Sequence, residues 1–334
     1  MKDEKTLKDP GRVTPPDYHL SLSIFKAEPA LSCDTLIVAG GVYGNPFALD
    51  ALDELVVQEN GKLLVVLNGD IHWFDKSAEN FSAIEERIRP YLPLIGNVEA
   101  ELRRVVDIGA GCGCSYPECT SDAAVSRSNN IHYVLSSALA QRFDLKALLE
   151  ERLPAVVVNV GGKKVGISHG DEKLISGWGC SRESLQEVTR QAELDCWMVE
   201  TGVDILTTTH TCAPVAIKLK NGIVINNGAS GMPNFSGQKH GLIVRISINA
   251  FTEPVFSAHY DDIFVEAIPL YYNHEGYLAW FDQLWPALSP ASLSYRDRII
   301  NGPDDSIENA LLGGFSIGRG FKNRDDSKLL IDII

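Results

Sequence analysis

The sequence predicts an α/β fold in which two β-sheets pack as a sandwich with helices outside. Three observations predict it. Strands and helical segments alternate through the first half of the chain, and the strands are continuous apolar runs with no solvent-facing side. The second half then adds strands joined by short glycine-containing turns, the mark of antiparallel hairpins.

Each element has its own warrant. Residues 1–33 are polar and proline-dotted and read as an N-terminal extension. The apolar run 36–39 stops at Gly40 and Gly41, which predicts a buried strand ended by a tight turn. Residues 47–59 carry helical periodicity and residues 62–67 form a second buried strand, so the pair builds a βαβ unit. A helix over 81–91 and a short strand over 92–95 follow. Residues 105–133 break the rhythm with Gly109, Gly111, Gly113 and three cysteines, and read as an insertion. A helical pattern covers 123–152, followed by strands over 155–160, 164–168, 204–207, 215–219, 223–226 and 242–248. Gly161-Gly162 and Asn221-Gly222 mark the hairpins. The main domain is thus expected over 34–260. The aromatic-rich segment 261–334 reads as a C-terminal extension that packs on the sandwich, makes a contact between copies of the chain or covers the substrate.

Composition excludes several functions. Thirty Lys and Arg against forty-four Asp and Glu leave a formal charge of −14, which argues against a nucleic-acid partner. No apolar run approaches the ~18 residues that would cross a bilayer, so no membrane partner is expected. The N-terminus lacks the apolar core of a signal peptide, and seven irregularly spaced cysteines do not form a secreted disulfide framework. A cytoplasmic protein is expected.

Ligands in α/β sheets collect at the carboxyl ends of strands. Read in order, those ends carry Gly41-Val42-Tyr43-Gly44-Asn45, Gly69-Asp70-Ile71-His72, Gly96-Asn97-Val98-Glu99, His169-Gly170 and Thr209-His210-Thr211-Cys212. One Asp, one Asn and two His on a single rim suit a hard-to-borderline divalent ion such as Mn, Fe or Zn.

On these motifs the sequence resembles the calcineurin-like metallophosphoesterases, particularly their small bacterial phosphodiesterase branch. Gly69-Asp70 resembles the family's Gly-Asp motif, Gly96-Asn97 its Gly-Asn motif and His169-Gly170 its single-His motif. Thr209-His210-Thr211-Cys212 followed by Pro214 resembles Gly-His-Thr-His-x-Pro. The resemblance implies a four-layer α-β-β-α sandwich. It also implies a metal-dependent phosphodiesterase or phosphatase, in which metal-activated water attacks phosphorus on a small soluble phosphorylated substrate.

The departures are as informative. Alignment on Gly44-Asn45 puts Gly41 and Tyr43 where the family has the Asp and His of Asp-x-His-Gly-Asn, and Cys212 replaces the second His of Gly-His-Thr-His. The resemblance therefore implies one metal ion, or none bound, at Asp70, Asn97, His169 and His210. Val98 stands where the family's leaving-group acid follows Gly-Asn. Cys212 is a candidate replacement ligand, His72 and Glu99 candidate catalytic residues, and Tyr43 and Asn45 candidates for substrate contact. The alternative is a non-catalytic member of the fold that binds a metal or ligand. Cys112, Cys114 and Cys119 with His132 admit a second metal site, although C-x-C lacks the paired C-x-x-C spacing. Residues 127–130 admit an anion site or a helix cap.

Overall fold

The computed structural model describes residues 9–322; residues 1–8 and 323–334, the ends of the two expected extensions, lie outside the described residues. Helix α1 (Leu22–Lys26) precedes β1 (Leu31–Cys33) and β2 (Thr35–Ala39), after which α2 (Pro46–Gln58), β3 (Leu63–Asn68), α3 (Ala78–Ile88), β4 (Leu92–Leu94) and α4 (Asn97–Leu102) alternate. Helices α5 (Asp122–Ala138) and α6 (Phe143–Glu150) lead to the hairpin of β5 (Ala155–Val160) and β6 (Lys163–Ser168). Helices α7 (Arg182–Gln186) and α8 (Val188–Thr201) precede β7 (Ile205–Thr208), β8 (Val215–Lys218), β9 (Ile223–Asn226) and β10 (Gly241–Ser247). The described chain closes with β11 (Phe256–Tyr260), β12 (Ile263–Leu270), α9 (His274–Leu284), α10 (Pro290–Asn301), β13 (Leu311–Gly313) and β14 (Ser316–Ile317).

These strands form two seven-stranded sheets, ordered β14-β11-β12-β10-β2-β3-β4 and β1-β5-β6-β7-β9-β8-β13. Alternate residues of each strand point to opposite faces. Val38, Val66, Val244 and Val265 of the first sheet therefore meet Val158, Ile167, Ile205 and Ile225 of the second in one dry layer. Ile37, Val65 and Leu67 turn outward and pack with Leu49 and Leu52 of α2 and Ile84 of α3. Leu206 and Val224 of the second sheet pack with Leu194 and Met198 of α8 and Phe25 of α1. The result is the expected helix–sheet–sheet–helix sandwich. Among the described residues no helix is long and apolar enough to cross a membrane.

Three expectations need correction. The helical pattern over 123–152 is two helices, α5 and α6, because the chain turns at Leu139 and so brings Leu145 and Leu149 back to the cluster that holds Leu135. The N-terminal segment, expected to lie outside the core, contributes to it. β1 pairs with β5, and Tyr18 and Phe25 are fully buried. The sheet also continues past residue 260, since β12 pairs along its length with β10 and along five residues with β11. Glu266 and Pro269 disguise β12 in the sequence. Glu266 is tolerated inside the sheet because Arg245, its register partner on β10, reaches it at 2.9 Å.

α5 docks on α4 through His132, whose Nε2 lies 3.3 Å from the Val98 carbonyl oxygen. Burial lowers the His132 pKa to about 4, and the bond to Val98 offsets this only in part. The unfolded chain, with a histidine pKa near 6.5, therefore binds a proton between pH 6.5 and 4 that the folded chain refuses, and stability falls as pH falls through that window. The penalty of His132→Gln, measured by urea unfolding, should be about 2 kcal/mol smaller at pH 5 than at pH 7.

Candidate metal centre

The site lies where the carboxyl ends of both sheets meet. Asp70 follows β3 and Asn97 opens α4 after β4, whereas His169 follows β6 and His210 lies two residues after β7. Close approach at this corner requires glycine. A Cβ on Gly69 would sit 2.6 Å from the Gly96 Cα and 2.6 Å from His169 Nδ1, and one on Gly96 would sit 2.4 Å from Asp70 Oδ1.

The four side chains converge. His169 Nε2 is 3.3 Å from Asp70 Oδ2, 3.2 Å from Asn97 Oδ1 and 3.3 Å from His210 Nδ1. Ligands ~2.0–2.1 Å from one ion sit about 3.3–3.4 Å apart at the corners of a tetrahedron. Among the described residues, Asp70, His169 and His210 form the cluster of His, Cys, Asp or Glu able to hold a metal, with one ligand atom each within 4.8 Å.

Neighbouring groups fix which atoms face inward. The Asn68 carbonyl accepts from His169 Nδ1 at 2.7 Å, and the Cys114 carbonyl accepts from His210 Nε2 at 3.0 Å. Each ring thereby turns its other nitrogen to the centre. Asn97 Nδ2 donates to the Cys112 carbonyl at 2.9 Å, leaving Oδ1 inward. The Val98 N–H donates to Asp70 Oδ1 at 3.2 Å, leaving Oδ2 inward. Burial and the neighbouring His169 lower the His210 pKa to about 4, so its ring is neutral at pH 7. Burial alone would raise Asp70, but the adjacent His169 outweighs it and holds the carboxyl below its usual range. Burial disfavours charge on His169, but the Asp70 carboxylate beside it outweighs this and raises its pKa, so the point where the four side chains meet attracts positive charge. One Asp, one Asn and two His converging there fit a cation.

The cysteine loop serves this centre through its backbone. The Cys112 and Cys114 carbonyls orient Asn97 and His210, and Cys119 is exposed. The sequence offered no signal for carbonyl positioning beyond glycines flanking the cysteines. His132 lies under Val98 and is not part of a cysteine metal site. Residues 127–130 sit inside α5 and so do not cap a helix; Arg127 bonds Ser294 and Asn129 accepts from the Cys112 N–H.

Three other sequence candidates are committed elsewhere. Glu99 accepts from the backbone N–H groups of Asp70, Ile71, His72 and Gly96 with both oxygens, and so fixes the loop carrying Asp70 rather than facing substrate. His72 is fully buried, bonded to Asp75 at 2.8 Å and Glu85 at 2.6 Å and stacked on Phe81. Asn45 caps α2 with Oδ1, donates to the Gly231 carbonyl with Nδ2 and is fully buried, so it holds the loop together.

Tyr43 and Cys212 do face the rim. The Tyr43 hydroxyl lies 2.8 Å from Cys212 Sγ, outside the Asp–His–His cluster. A Cβ on Gly41 would fall 2.8 Å from Tyr43 Cζ and 2.8 Å from its hydroxyl oxygen, so the phenol ring occupies the room an acidic side chain at 41 would need. Tyr43, Asp70 and Cys212 all hold positive φ, at 57°, 52° and 55°. Such backbone strain in non-glycine residues clusters at functional sites. Beside the centre opens a cavity of about 150 Å³, walled by Tyr43, Trp73, Tyr116, Trp178 and Tyr295. None of the last four was singled out from the sequence, because they come from four separate segments.

The fold has known counterparts. The chain is similar to a metallophosphoesterase from Sphaerobacter thermophilus, at 15% identity over 80% of this chain and 100% of that one, with a TM-score of 0.51. It is likewise similar to a hypothetical protein from Pyrococcus horikoshii OT3, at 14% identity over 82% of this chain and 100% of that one, with a TM-score of 0.53. No protein-family model matches the sequence, and no curated protein does. The chain has the two-sheet sandwich of the metallophosphoesterases.

The Gly41–Tyr43 contact makes a sharp expectation. Gly41→Asp alone should destabilise the protein by about 1–3 kcal/mol, since it overpacks against the phenol at a left-handed residue. Adding Tyr43→His should recover part of that loss in urea unfolding. Adding Cys212→His as well should raise bound metal from about one to about two ions per chain, read by elemental analysis.

Proposed function

We propose that this protein is a phosphoesterase that uses one divalent ion of the Mn, Fe or Zn type, held by Asp70, Asn97, His169 and His210, and acts on a small phosphorylated molecule. The observation that carries the reading is the convergence of four ligand atoms, with the second nitrogen of each histidine held by a backbone carbonyl. When bound, such an ion supplies Lewis acidity toward a water and a phosphoryl oxygen. The fold shared with a metallophosphoesterase supports the same reading.

The chain's own residues set the rest. Asp70 brings the one formal charge of the ligand set. The Tyr43 hydroxyl, kept protonated by burial and by the neighbouring Cys212, is a neutral donor at the rim. Val98 offers no proton to a leaving group. These two residues also favour a second reading, a binder that holds a phosphorylated ligand without turning it over. All seven cysteines are unpaired, which supports a reducing compartment such as the cytoplasm.

Elemental analysis of the purified protein should find about one Mn, Fe or Zn per chain, and Asp70→Asn should weaken metal binding by at least ~10–100-fold. Hydrolysis of a chromogenic phosphodiester should appear with metal and vanish with a chelator. Metal binding without hydrolysis selects the binder, and a folded protein that binds no metal rejects both readings.

A further inference from the structure

The cavity beside the centre has a composition that the metal alone does not explain. Two aromatic pairs line it, Tyr116 with Trp178 at 6.0 Å between ring centroids and Trp73 with Tyr295 at 6.4 Å. The second pair crosses at 85°, and Trp178 also sets its edge against His210 at 5.3 Å. Such walls offer faces and edges to a flat ring. The cavity of about 150 Å³ is lined by these rings and by Asp70, Asn97 and His210, so it has room for one benzene-sized ring against the centre and not two.

The charge of the pocket is equally restricted. Among the described residues no Lys or Arg lines it. Arg298 donates to the Cys212 and Pro233 carbonyls instead. Burial keeps the hydroxyls of Tyr43, Tyr116 and Tyr295 neutral. A divalent ion held by Asp70, neutral Asn97 and two neutral imidazoles leaves a net charge of one positive unit. A phosphodiester carries one negative charge and balances it. A phosphomonoester carries ~1.5–2 at pH 7 and leaves a surplus in a pocket that cannot neutralise it.

Resting on the metal centre proposed above, we propose that the site is selective for phosphodiester monoanions bearing one small aromatic ester group, and rejects phosphomonoester dianions. The ring lies among Trp73, Tyr116, Trp178 and Tyr295, and the phosphoryl group faces Asp70 and His210. With Val98 in place of a proton donor, an aryl oxygen, which leaves without protonation, is also the ester that the site can cleave.

Calorimetric titration of the metal-loaded protein tests this with three ligands. Methyl phenyl phosphate combines the single charge with the ring, phenyl phosphate doubles the charge, and dimethyl phosphate lacks the ring. Methyl phenyl phosphate should bind at least about tenfold tighter than either of the others, a margin well beyond experimental scatter. Trp178→Ala should cost methyl phenyl phosphate several-fold more affinity than dimethyl phosphate, and an equal loss for both counts against the ring site. Phenyl phosphate binding as tightly as the diester, dimethyl phosphate doing so, or no binding of any of the three overturns the proposal. Turnover is read separately with methyl 4-nitrophenyl phosphate and 4-nitrophenyl phosphate. Selective binding without turnover removes the esterase reading and leaves the selectivity. Equal kcat/KM on both esters does the reverse.

Discussion

Everything at the rim depends on holding two sheets in register at their carboxyl ends, and a buried chain of amides and hydroxyls does this. Asn68, the last residue of β3, donates from Nδ2 to the Ser168 carbonyl of the opposite sheet at 2.8 Å and to Thr209 Oγ1 at 3.1 Å. Thr209 Oγ1 donates in turn to Asn227 Oδ1 at 2.7 Å, and Asn227 Nδ2 returns to the first sheet at the Gly40 and Leu242 carbonyls. All three side chains are fully buried, so each bond lost would strand a desolvated polar group. Apolar packing between the sheets is non-directional and would tolerate sliding. A metal centre that takes two ligands from each sheet would not, because its donors must stay within a few tenths of an ångström.

The same corner is held from outside by segments that have no part in the sandwich. The Tyr18 hydroxyl reaches the Asn97 carbonyl and Glu101, beneath α4. The Gly11 N–H meets the Ala110 carbonyl, and the Tyr116 N–H meets the Gly11 carbonyl, so the N-terminal segment braces the cysteine loop. Trp285 of the C-terminal region donates to the Phe74 carbonyl, behind Tyr43. A loop that orients ligands by backbone carbonyls must itself be rigid, and these braces supply the rigidity.

Much of this was legible in the sequence, and the reason is physical. Buried parallel strands are apolar and end abruptly, so β2, β3, β6 and β7 declared themselves, and the residues just past them were the natural rim. Asp70, Asn97, His169 and His210 came from that rule and do converge. β12 stayed hidden because its buried Glu266 makes sense only once Arg245 lies beside it, a pairing no local pattern encodes. Glu99, His72 and Asn45 were legible as polar residues at strand ends but not as to direction. A strand end places a backbone; whether a side chain turns to the rim or back to its own loop is decided by which N–H groups need acceptors there.

Tyr43 shows how the shape of the rim is kept by backbone and packing. The phenol fills the space beside Gly41, and its hydroxyl finds a partner in Cys212, so no donor is stranded there. The left-handed conformations at Tyr43 and Cys212 persist although neither residue belongs to the Asp–His–His cluster. Strain of that kind is held in place by the surrounding hydrogen bonds, among them Gly44 N–H to the Ile71 carbonyl and Cys212 N–H to the Thr209 carbonyl. The backbone is therefore set by the two-sheet corner and not by the ligands. That is why Asp70, Asn97, His169 and His210 keep the spacing that ligands of a single ion would need, whatever stands at 43 and 212.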